Sequence, residues 1–192
     1  MAGAKYDNGE FKTRTEVETL KTLSLGVQDL LNSEEGETAE WSLDFAVAEL
    51  LPDLKVKSRL KGNLQALRTA DGLILIVREA ELKVQSTCVR CAEAADLTLK
   101  LKDATREFLE HWNESEEEAF PIDLERLEVD LSEFVRQELY LVLPELIYCK
   151  PKCKGVCDQC GQNLNRGTCH CQKAANQEEN PFQKLKDMLK EQ

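Results

Sequence analysis

The sequence predicts an α+β fold: an antiparallel sheet, or a partly open β-barrel, covered by one main helix and followed by a cysteine-rich segment. Several stretches between residues 41 and 102 alternate apolar and polar side chains, which is typical of half-buried strands. Residues 131–143 carry apolar residues at the helical period. Six of the eight cysteines lie between Cys149 and Cys171, in short spacings typical of a zinc ribbon.

Composition limits the classes of protein to consider. The chain has 192 residues, of which 42% are hydrophobic, so it can bury a core. Its net charge of −11 argues against indiscriminate binding to phosphates. No apolar run approaches the roughly 20 residues that span a bilayer, and the N-terminus lacks the apolar stretch of a secretory signal. We therefore expect no membrane association and a reducing compartment, where cysteines serve as metal ligands more often than as disulfides.

The predicted strands follow one another closely. A short helix over Val27–Leu31 precedes them, and the Asp71-Gly72 pair predicts a tight turn between the second and third strands. The third strand leads directly into the pair Cys88 and Cys91, which we expect at one end of the sheet. The four strands are predicted over residues 41–47, 54–67, 73–87 and 96–102.

The main helix is predicted over Leu131–Leu143, ending before Pro144. Asp130 and Glu133 have the spacing of a capping box at its start. Its apolar stripe is most simply the face that covers the sheet.

These elements define the expected domain organisation. Residues 1–12 are predicted to be disordered, and residues 13–148 form the α+β domain. Residues 149–173 form a cysteine-rich, zinc-binding segment packed on that domain. Residues 174–192 are predicted to be a linker and a short amphipathic helix that begins at Asn180-Pro181.

The cysteines are sufficient for two complete four-sulfur metal sites, for which zinc is the best-suited ion. The spacing predicts one site from Cys157, Cys160, Cys169 and Cys171, and a second from Cys88, Cys91, Cys149 and Cys153. Because 57 residues separate Cys91 from Cys149, the second site would act as a structural staple. The main rival is a single zinc held by Cys88, Cys91, Cys157 and Cys160. An iron–sulfur cluster is a further alternative.

No constellation of catalytic residues is recognisable in the sequence. It contains no phosphate-binding glycine loop, no G-x-S-x-G motif and only two histidines. Four-sulfur zinc sites are coordinatively closed, which disfavours hydrolysis. A thioredoxin-like role for Cys88 and Cys91 is the enzymatic alternative, but it requires a βαβ setting, whereas both flanks of this pair are predicted strands. We therefore expect a binding or assembly protein without a small-molecule substrate.

One face of the second predicted strand is basic. Lys55, Lys57, Arg59 and Lys61 alternate with less polar residues, and we consider them the candidate RNA-binding residues. Residues on one side of a strand repeat about every 6.5–7 Å, which is close to the separation of successive phosphates in a nucleic-acid strand. The alternative is an ordinary solvated sheet face, or an edge that lysine protects against aggregation.

From about Leu25 to Leu189 the chain resembles the YceD family, which is named for the large ribosomal RNA subunit accumulation protein. The strand entering Cys88-Val89-Arg90-Cys91 and the helix from Asp130 to Pro144 carry part of the resemblance. Its most specific part is the cysteine-rich segment: Cys149, Cys153-Lys154-Gly155-Val156-Cys157-Asp158-Gln159-Cys160-Gly161, Asn163-Leu164-Asn165, Cys169 and Cys171. Ala92 and Val156 depart from the bulkier residues, usually leucine, that are common in the family.

The resemblance implies a non-enzymatic factor needed for large-subunit ribosomal RNA to accumulate, acting in processing, protection or assembly. It implies a bacterial cytoplasmic location, or a plastid location in plants. The expected partners are large-subunit ribosomal RNA or a pre-ribosomal particle, together with assembly proteins. The expected cofactor is one or two structural Zn²⁺ ions. A zinc-stabilised protein-interaction adaptor that never contacts RNA is the alternative function.

Overall fold

The computed structural model describes residues 18–20, 22–113 and 118–171. It divides into two compact units. Unit 1 comprises the described residues up to Gln85 together with Leu97–Leu143, and unit 2 comprises Ser86–Asp96 and the described residues from Pro144 onward. The predicted N-terminal tail at residues 1–12 and the predicted C-terminal linker and helix at residues 174–192 lie outside the described residues. The predicted domain boundaries remain predictions.

Strands outnumber helices in the described residues, so the fold is mostly β. The only helix of appreciable length there is α2. A short 3₁₀ turn lies at Ala48–Leu50. The elements in chain order are β1 (Glu18–Leu20), β2 (Ser24–Gly26), α1 (Gln28–Leu31), β3 (Thr38–Phe45), β4 (Lys55–Val56), β5 (Leu60–Arg68), β6 (Gly72–Thr87), β7 (Ala94–Leu109), β8 (Ala119–Pro121), β9 (Glu128–Asp130) and α2 (Ser132–Leu141).

The main sheet has the strand order β1-β3-β5-β6-β7-β8, and β4 also pairs with β6. The β3–β5 and β5–β6 pairs are antiparallel, as predicted, whereas β1 pairs with β3 and β7 pairs with β8 in parallel. A second small sheet joins β2 to β9. The order runs from β1 to β8 without returning, so no closed barrel forms among the described strands.

The core of unit 1 follows the predicted alternation. Trp41, Leu43 and Phe45 on β3 are buried, as are Ala80, Leu82 and Val84 on β6. Helix α2 contributes Phe134 to the same cluster, with its ring 6.3 Å from that of Phe108 on β7. This confirms that the main helix covers a face of the sheet.

The stretch predicted as one strand over residues 54–67 is divided into β4 and β5. Four residues separate Val56 from Lys61, whereas only two separate Val84 from Glu81, their partners on β6. The chain therefore bulges around Ser58, whose Oγ accepts a hydrogen bond from the Lys83 N–H at 2.9 Å.

Two other elements differ from the prediction in extent. Strand β7 continues past residue 102 to Leu109. Within it, Asp103 adopts a φ of 48°, and the alternation of buried and exposed residues shifts by one residue there. Helix α2 begins at Ser132 and ends at Leu141, shorter than predicted. Asp130 Oδ1 accepts a hydrogen bond from the Ser132 N–H at 2.8 Å, at the start of the helix. Glu133 does not complete a capping box, because it accepts hydrogen bonds from Arg136 and Gln137 instead.

No helix among the described residues has the length and apolar character required to cross a membrane.

Candidate metal centre

All eight cysteines belong to unit 2, where two CxxC pairs form nearly identical turns. In the first, the Ala92 N–H donates to the Cys88 carbonyl at 2.9 Å, and in the second the Gly161 N–H donates to the Cys157 carbonyl at 2.8 Å. The donor residue has a positive φ in both turns, 56° at Ala92 and 71° at Gly161. Glycine adopts this conformation freely and alanine does so only with strain, so Gly161 suits its turn better than Ala92 suits the first.

The first quartet combines the Cys88–Cys91 turn with two cysteines that follow α2 in the chain. The four sulfur atoms of Cys88, Cys91, Cys149 and Cys153 all lie within 4.8 Å of one another. The Cys88 and Cys153 sulfurs are 3.8 Å apart, and those of Cys91 and Cys149 are 3.5 Å apart. Cys149 is partly exposed and the other three are buried.

The second quartet consists of Cys157, Cys160, Cys169 and Cys171, whose sulfur atoms also lie within 4.8 Å of one another. It is more accessible than the first, because Cys160 is exposed and Cys171 is partly exposed. Cys157 and Cys169 are buried.

The structure therefore brings the cysteines together in the two groups that their spacing predicts. The rival grouping of Cys88, Cys91, Cys157 and Cys160 divides its members between the two quartets. No disulfide joins any of the eight cysteines. Their role as metal ligands remains a prediction that this geometry permits.

The thiols within each quartet have unequal pKa values. Burial would raise the pKa of Cys88, but backbone N–H groups of Cys149, Arg90 and Cys91 donate to its sulfur and bring the pKa down to about 6. Burial and the neighbouring cysteines raise the pKa of Cys149 to about 12. In the second quartet, N–H groups of Cys160 and Gln159 lower the pKa of Cys157, whereas Cys160 and burial raise that of Cys171 to about 11.

Some residues that support the first quartet were not identified from the sequence. Asn165 donates from its side chain to the Cys153 sulfur at 3.3 Å, and its Oδ1 accepts the Lys154 N–H at 2.9 Å. Arg90 donates to the Cys153 carbonyl at 3.1 Å and lies 4.6 Å above the Tyr148 ring. The Asn163-x-Asn165 spacing was the available signal, because Asn163 Oδ1 accepts the Asn165 N–H as in an Asx turn.

Gly155 allows the two cysteine-bearing segments to approach closely. It has a φ of 77°, and a Cβ at this position would lie 3.1 Å from the Arg90 carbonyl. The Val156 N–H donates to that same carbonyl at 3.1 Å. A side chain at residue 155 would therefore both strain the backbone and crowd this contact.

The donor set fits a single tetrahedral ion in each quartet. At a Zn–S distance of about 2.3 Å, the sulfurs of a tetrahedral site are about 3.8 Å apart, close to the separations in the first quartet. Four thiolates and N–H donors directed at the sulfurs are typical of structural zinc sites. An iron–sulfur cluster, which places several iron and sulfide atoms between its thiolates, requires sulfurs that are farther apart.

The four predicted RNA-binding residues do not form one uniform face. All four are exposed, but Lys55 lies on β4, Lys57 follows it, and Lys61 lies on β5. Arg59 lies between the strands, where its Nε contacts Asp44 Oδ1 at 2.6 Å. Lys61 is the cross-strand neighbour of Asp44 on one side and Glu81 on the other. Acidic residues thus lie beside Arg59 and Lys61.

Comparison with known proteins gives a family match over the region that contains the cysteines. The family model for the large ribosomal RNA subunit accumulation protein YceD matches residues 78–189, which include all eight cysteines. A segment of 44 residues, 23% of the chain, is 39% identical to the large ribosomal RNA subunit accumulation protein YCED homolog 1, chloroplastic, of Arabidopsis thaliana. That segment covers 14% of the plant protein's length. No solved structure matches the chain significantly. Because the family model covers more than half of the 192 residues, the chain belongs to the YceD family.

Proposed function

We propose that this chain is a non-enzymatic factor for the accumulation of large-subunit ribosomal RNA, acting on the RNA or on pre-ribosomal particles during processing or assembly. The observation that carries the proposal is the family match, which extends from β6 through both cysteine quartets. The plant relative's name, with its chloroplast location, is consistent with it. We propose a bacterial cytoplasmic or a plastid location for this chain.

The cysteine quartets have a structural role in this proposal. Cys88, Cys91, Cys149 and Cys153 would hold one Zn²⁺ ion, and Cys157, Cys160, Cys169 and Cys171 would hold another. Four sulfurs leave no open position for a substrate or an activated water molecule, which supports a scaffold rather than a catalyst. Each ion would neutralise thiolates that otherwise repel one another, as the raised pKa values of Cys149 and Cys171 indicate.

The contact with RNA is proposed on unit 1, through the exposed cations Lys55, Lys57, Arg59 and Lys61. Local positive charge can bind phosphates despite a net charge of −11, because a partner responds to the nearest patch rather than to the total. Proposed partners are large-subunit ribosomal RNA and the proteins that assemble on it.

Depletion of the chain in its own host tests the proposed function. We expect the ratio of mature large-subunit to small-subunit ribosomal RNA to fall, and the wild-type chain to restore it. A variant with all four basic residues changed to Glu should restore the ratio poorly while reaching the wild-type protein level and metal content. An unchanged ratio after depletion would contradict the proposal.

The adaptor alternative is favoured by a different observation. Val89, Leu146 and Val156 in unit 2 are aliphatic and exposed by 55%, 59% and 44%. Exposed aliphatic side chains on a rigid scaffold suit a protein partner better than a phosphate backbone. Purified chain that binds an assembly protein but no ribosomal RNA at any salt concentration would favour the adaptor.

A further inference from the structure

The cysteine-rich segment of unit 2 carries a surplus of positive charge. Between Cys149 and Cys171 it has four cationic residues and one acidic residue, Asp158. The cations are Lys150, Lys152, Lys154 and Arg166. An ion pair between Arg166 Nη2 and Glu93 Oε1 neutralises the arginine within the unit. The three lysines are exposed, and among the described residues no carboxylate forms an ion pair with any of them.

Hydrogen bonds restrain the backbone that carries the three lysines. In the turn that begins at Lys150, the Cys153 N–H donates to the Lys150 carbonyl at 3.1 Å. Pro151 occupies the second position of this turn, where its fixed φ limits the conformations of the chain. The Lys154 N–H donates to Asn165 Oδ1 at 2.9 Å. Cations on a restrained backbone lose less conformational freedom on binding a ligand than cations on a mobile loop.

A fourth cation lies beside the lysines. Arg90, in the turn of the first CxxC pair, donates through Nη1 to the Cys153 carbonyl at 3.1 Å, and Cys153 lies between Lys152 and Lys154 in the chain. The Arg90 guanidinium lies 4.6 Å from the centroid of the Tyr148 ring. Arg90 is exposed, which leaves its guanidinium accessible from solvent. Four cations from two segments of the chain thus surround Cys153.

A metal ion in the first quartet would not balance all of this positive charge. Zn²⁺ with four thiolates has a formal charge of about −2, so about two of the four positive charges remain. The side chain that donates to the Cys153 sulfur is the amide of Asn165, at 3.3 Å, and not a lysine. The lysine ammonium groups are therefore available to an anion outside the protein.

The chemistry of these four cations fits single-stranded RNA. Lysine binds a phosphate as a flexible point charge, and each such contact releases counterions from the nucleic acid. A planar guanidinium can stack on an unpaired base, which is a common contact to single-stranded RNA. Bases inside an RNA duplex are stacked on one another, so the same contact is not available there.

We propose that Arg90, Lys150, Lys152 and Lys154 form a contact for single-stranded RNA on unit 2, in which the lysines bind phosphates and Arg90 stacks on a base. The cation–π contact with Tyr148 holds the guanidinium plane in position. This proposal rests on the proposed function and adds a second contact to the one proposed on unit 1.

Two full-length variants with the same change in net charge test the phosphate contact. The first is K150Q/K152Q/K154Q, and its matched control is K83Q/K100Q/K102Q, which removes three exposed lysines from unit 1. Binding to a labelled polyuridylate strand is measured as a function of salt concentration. Metal content and thermal midpoint establish that each variant is folded.

We expect the first variant to lose about tenfold or more in affinity near 0.1 M salt. Its slope of log K against log salt should flatten by about 2, because each contact with a single strand contributes about 0.7. Each of the three single substitutions should flatten the slope by about 0.7, which tests the contact without the triple change. The control should retain the wild-type slope.

Arg90→Lys tests the stacking contact, because it keeps the charge and removes the planar group. We expect its affinity for polyuridylate to fall about fivefold at an unchanged salt slope. Its affinity for an RNA duplex of the same length should stay at the wild-type value. An equal loss of affinity for strand and duplex would reject the stacking role of Arg90.

Two outcomes would overturn the proposed contact, and they differ in meaning. Wild-type affinity and slope in K150Q/K152Q/K154Q, with RNA binding by the wild-type chain intact, would reject the contact on unit 2 and leave the proposed function standing. Absence of RNA binding by the wild-type chain would reject both this contact and direct RNA binding, and it would favour the protein-interaction adaptor.

Discussion

Units 1 and 2 bury their residues in different ways. Every member of the buried apolar cluster lies in unit 1, on its strands and helices and in the turns between them. Among the described residues of unit 2, the buried residues other than cysteine are Ala95, Ile147 and Gly155, which has no side chain. An apolar core therefore accounts for the stability of unit 1. The described part of unit 2 buries too little apolar surface to order its chain without another source of stability.

The backbone shows the same contrast. Among the described residues, unit 1 contains the helices and most of the strand residues. Residues 144–171 of unit 2 have no helix or strand and only one isolated bridge, between Val156 and Asn163. Turns that present cysteine sulfurs replace regular structure there. The comparison indicates that the cysteine quartets replace an apolar core in the described part of unit 2. A structural metal has this role in small protein units.

The largest expected effect comes from removing a sulfur. We expect Cys153→Ser to lose about one metal equivalent per chain and to unfold unit 2 around the first quartet, because structural zinc contributes about 10–16 kcal/mol to the folding of isolated zinc-finger peptides. Unit 1 should retain its strand signal in circular dichroism. Native mass spectrometry measures the metal content, with Thr168→Ala, an exposed neighbour of Cys169, as the control. Two retained metal ions in Cys153→Ser would contradict this role.

The next prediction removes a side chain from the apolar core of unit 1. Phe108 is fully buried, and its ring lies 5.4 Å from that of Phe120. We expect Phe108→Ala to lower the free energy of unfolding by about 3–5 kcal/mol, measured by urea denaturation, while both metal ions remain bound. Leu124→Ala, at a position that is 44% exposed, should change it by less than about 0.5 kcal/mol. Loss of metal together with the core would argue against separate sources of stability.

The smallest expected effect concerns the surface of α2. Hydrogen bonds from Arg136 and Gln137 hold the pKa of Glu133 at about 2. Because this pKa is below the unfolded value of about 4.3, the stabilisation is present above pH 4.3 and is lost as the pH falls towards 2. The pair is about half exposed, so we expect Glu133→Gln to cost only about 0.2–0.5 kcal/mol at pH 7.

Urea denaturation of wild type and Glu133→Gln at pH 7 and pH 3 measures this difference. It should shrink at the lower pH. A difference that grows on acidification would have the wrong sign for a carboxylate with a lowered pKa.

The cysteine quartets could be predicted because the signal is local. Two residues between Cys88 and Cys91, and between Cys157 and Cys160, fix a turn that directs both sulfurs to one side. The strands and the helix predicted between Cys91 and Cys149 then limit how the eight cysteines can be grouped into two four-sulfur sites. The supporting role of Asn165 was missed because the Asn163-x-Asn165 spacing indicates an Asx turn but not that the Asn165 side chain donates to a cysteine sulfur.

The errors in the sheet have equally specific causes. The bulge around Ser58 adds two residues, and two residues leave the in–out alternation unchanged, so β4 and β5 had the pattern of one strand. At Asp103 the alternation changes phase, from Leu99 and Leu101 to Ala104 and Phe108, and the strand was predicted to end at residue 102. The parallel strands β1 and β8 are three residues long, too short for a period to be recognised.

The most direct test of the separation between the units is hydrogen exchange of the full-length protein, measured by mass spectrometry with and without a strong zinc chelator. We expect amides in residues 88–93 and 149–169 to lose protection when the metal is removed, while amides of β3, β5 and α2 keep theirs. Unchanged protection in unit 2 after complete metal removal, or loss of protection in both units together, would contradict the account.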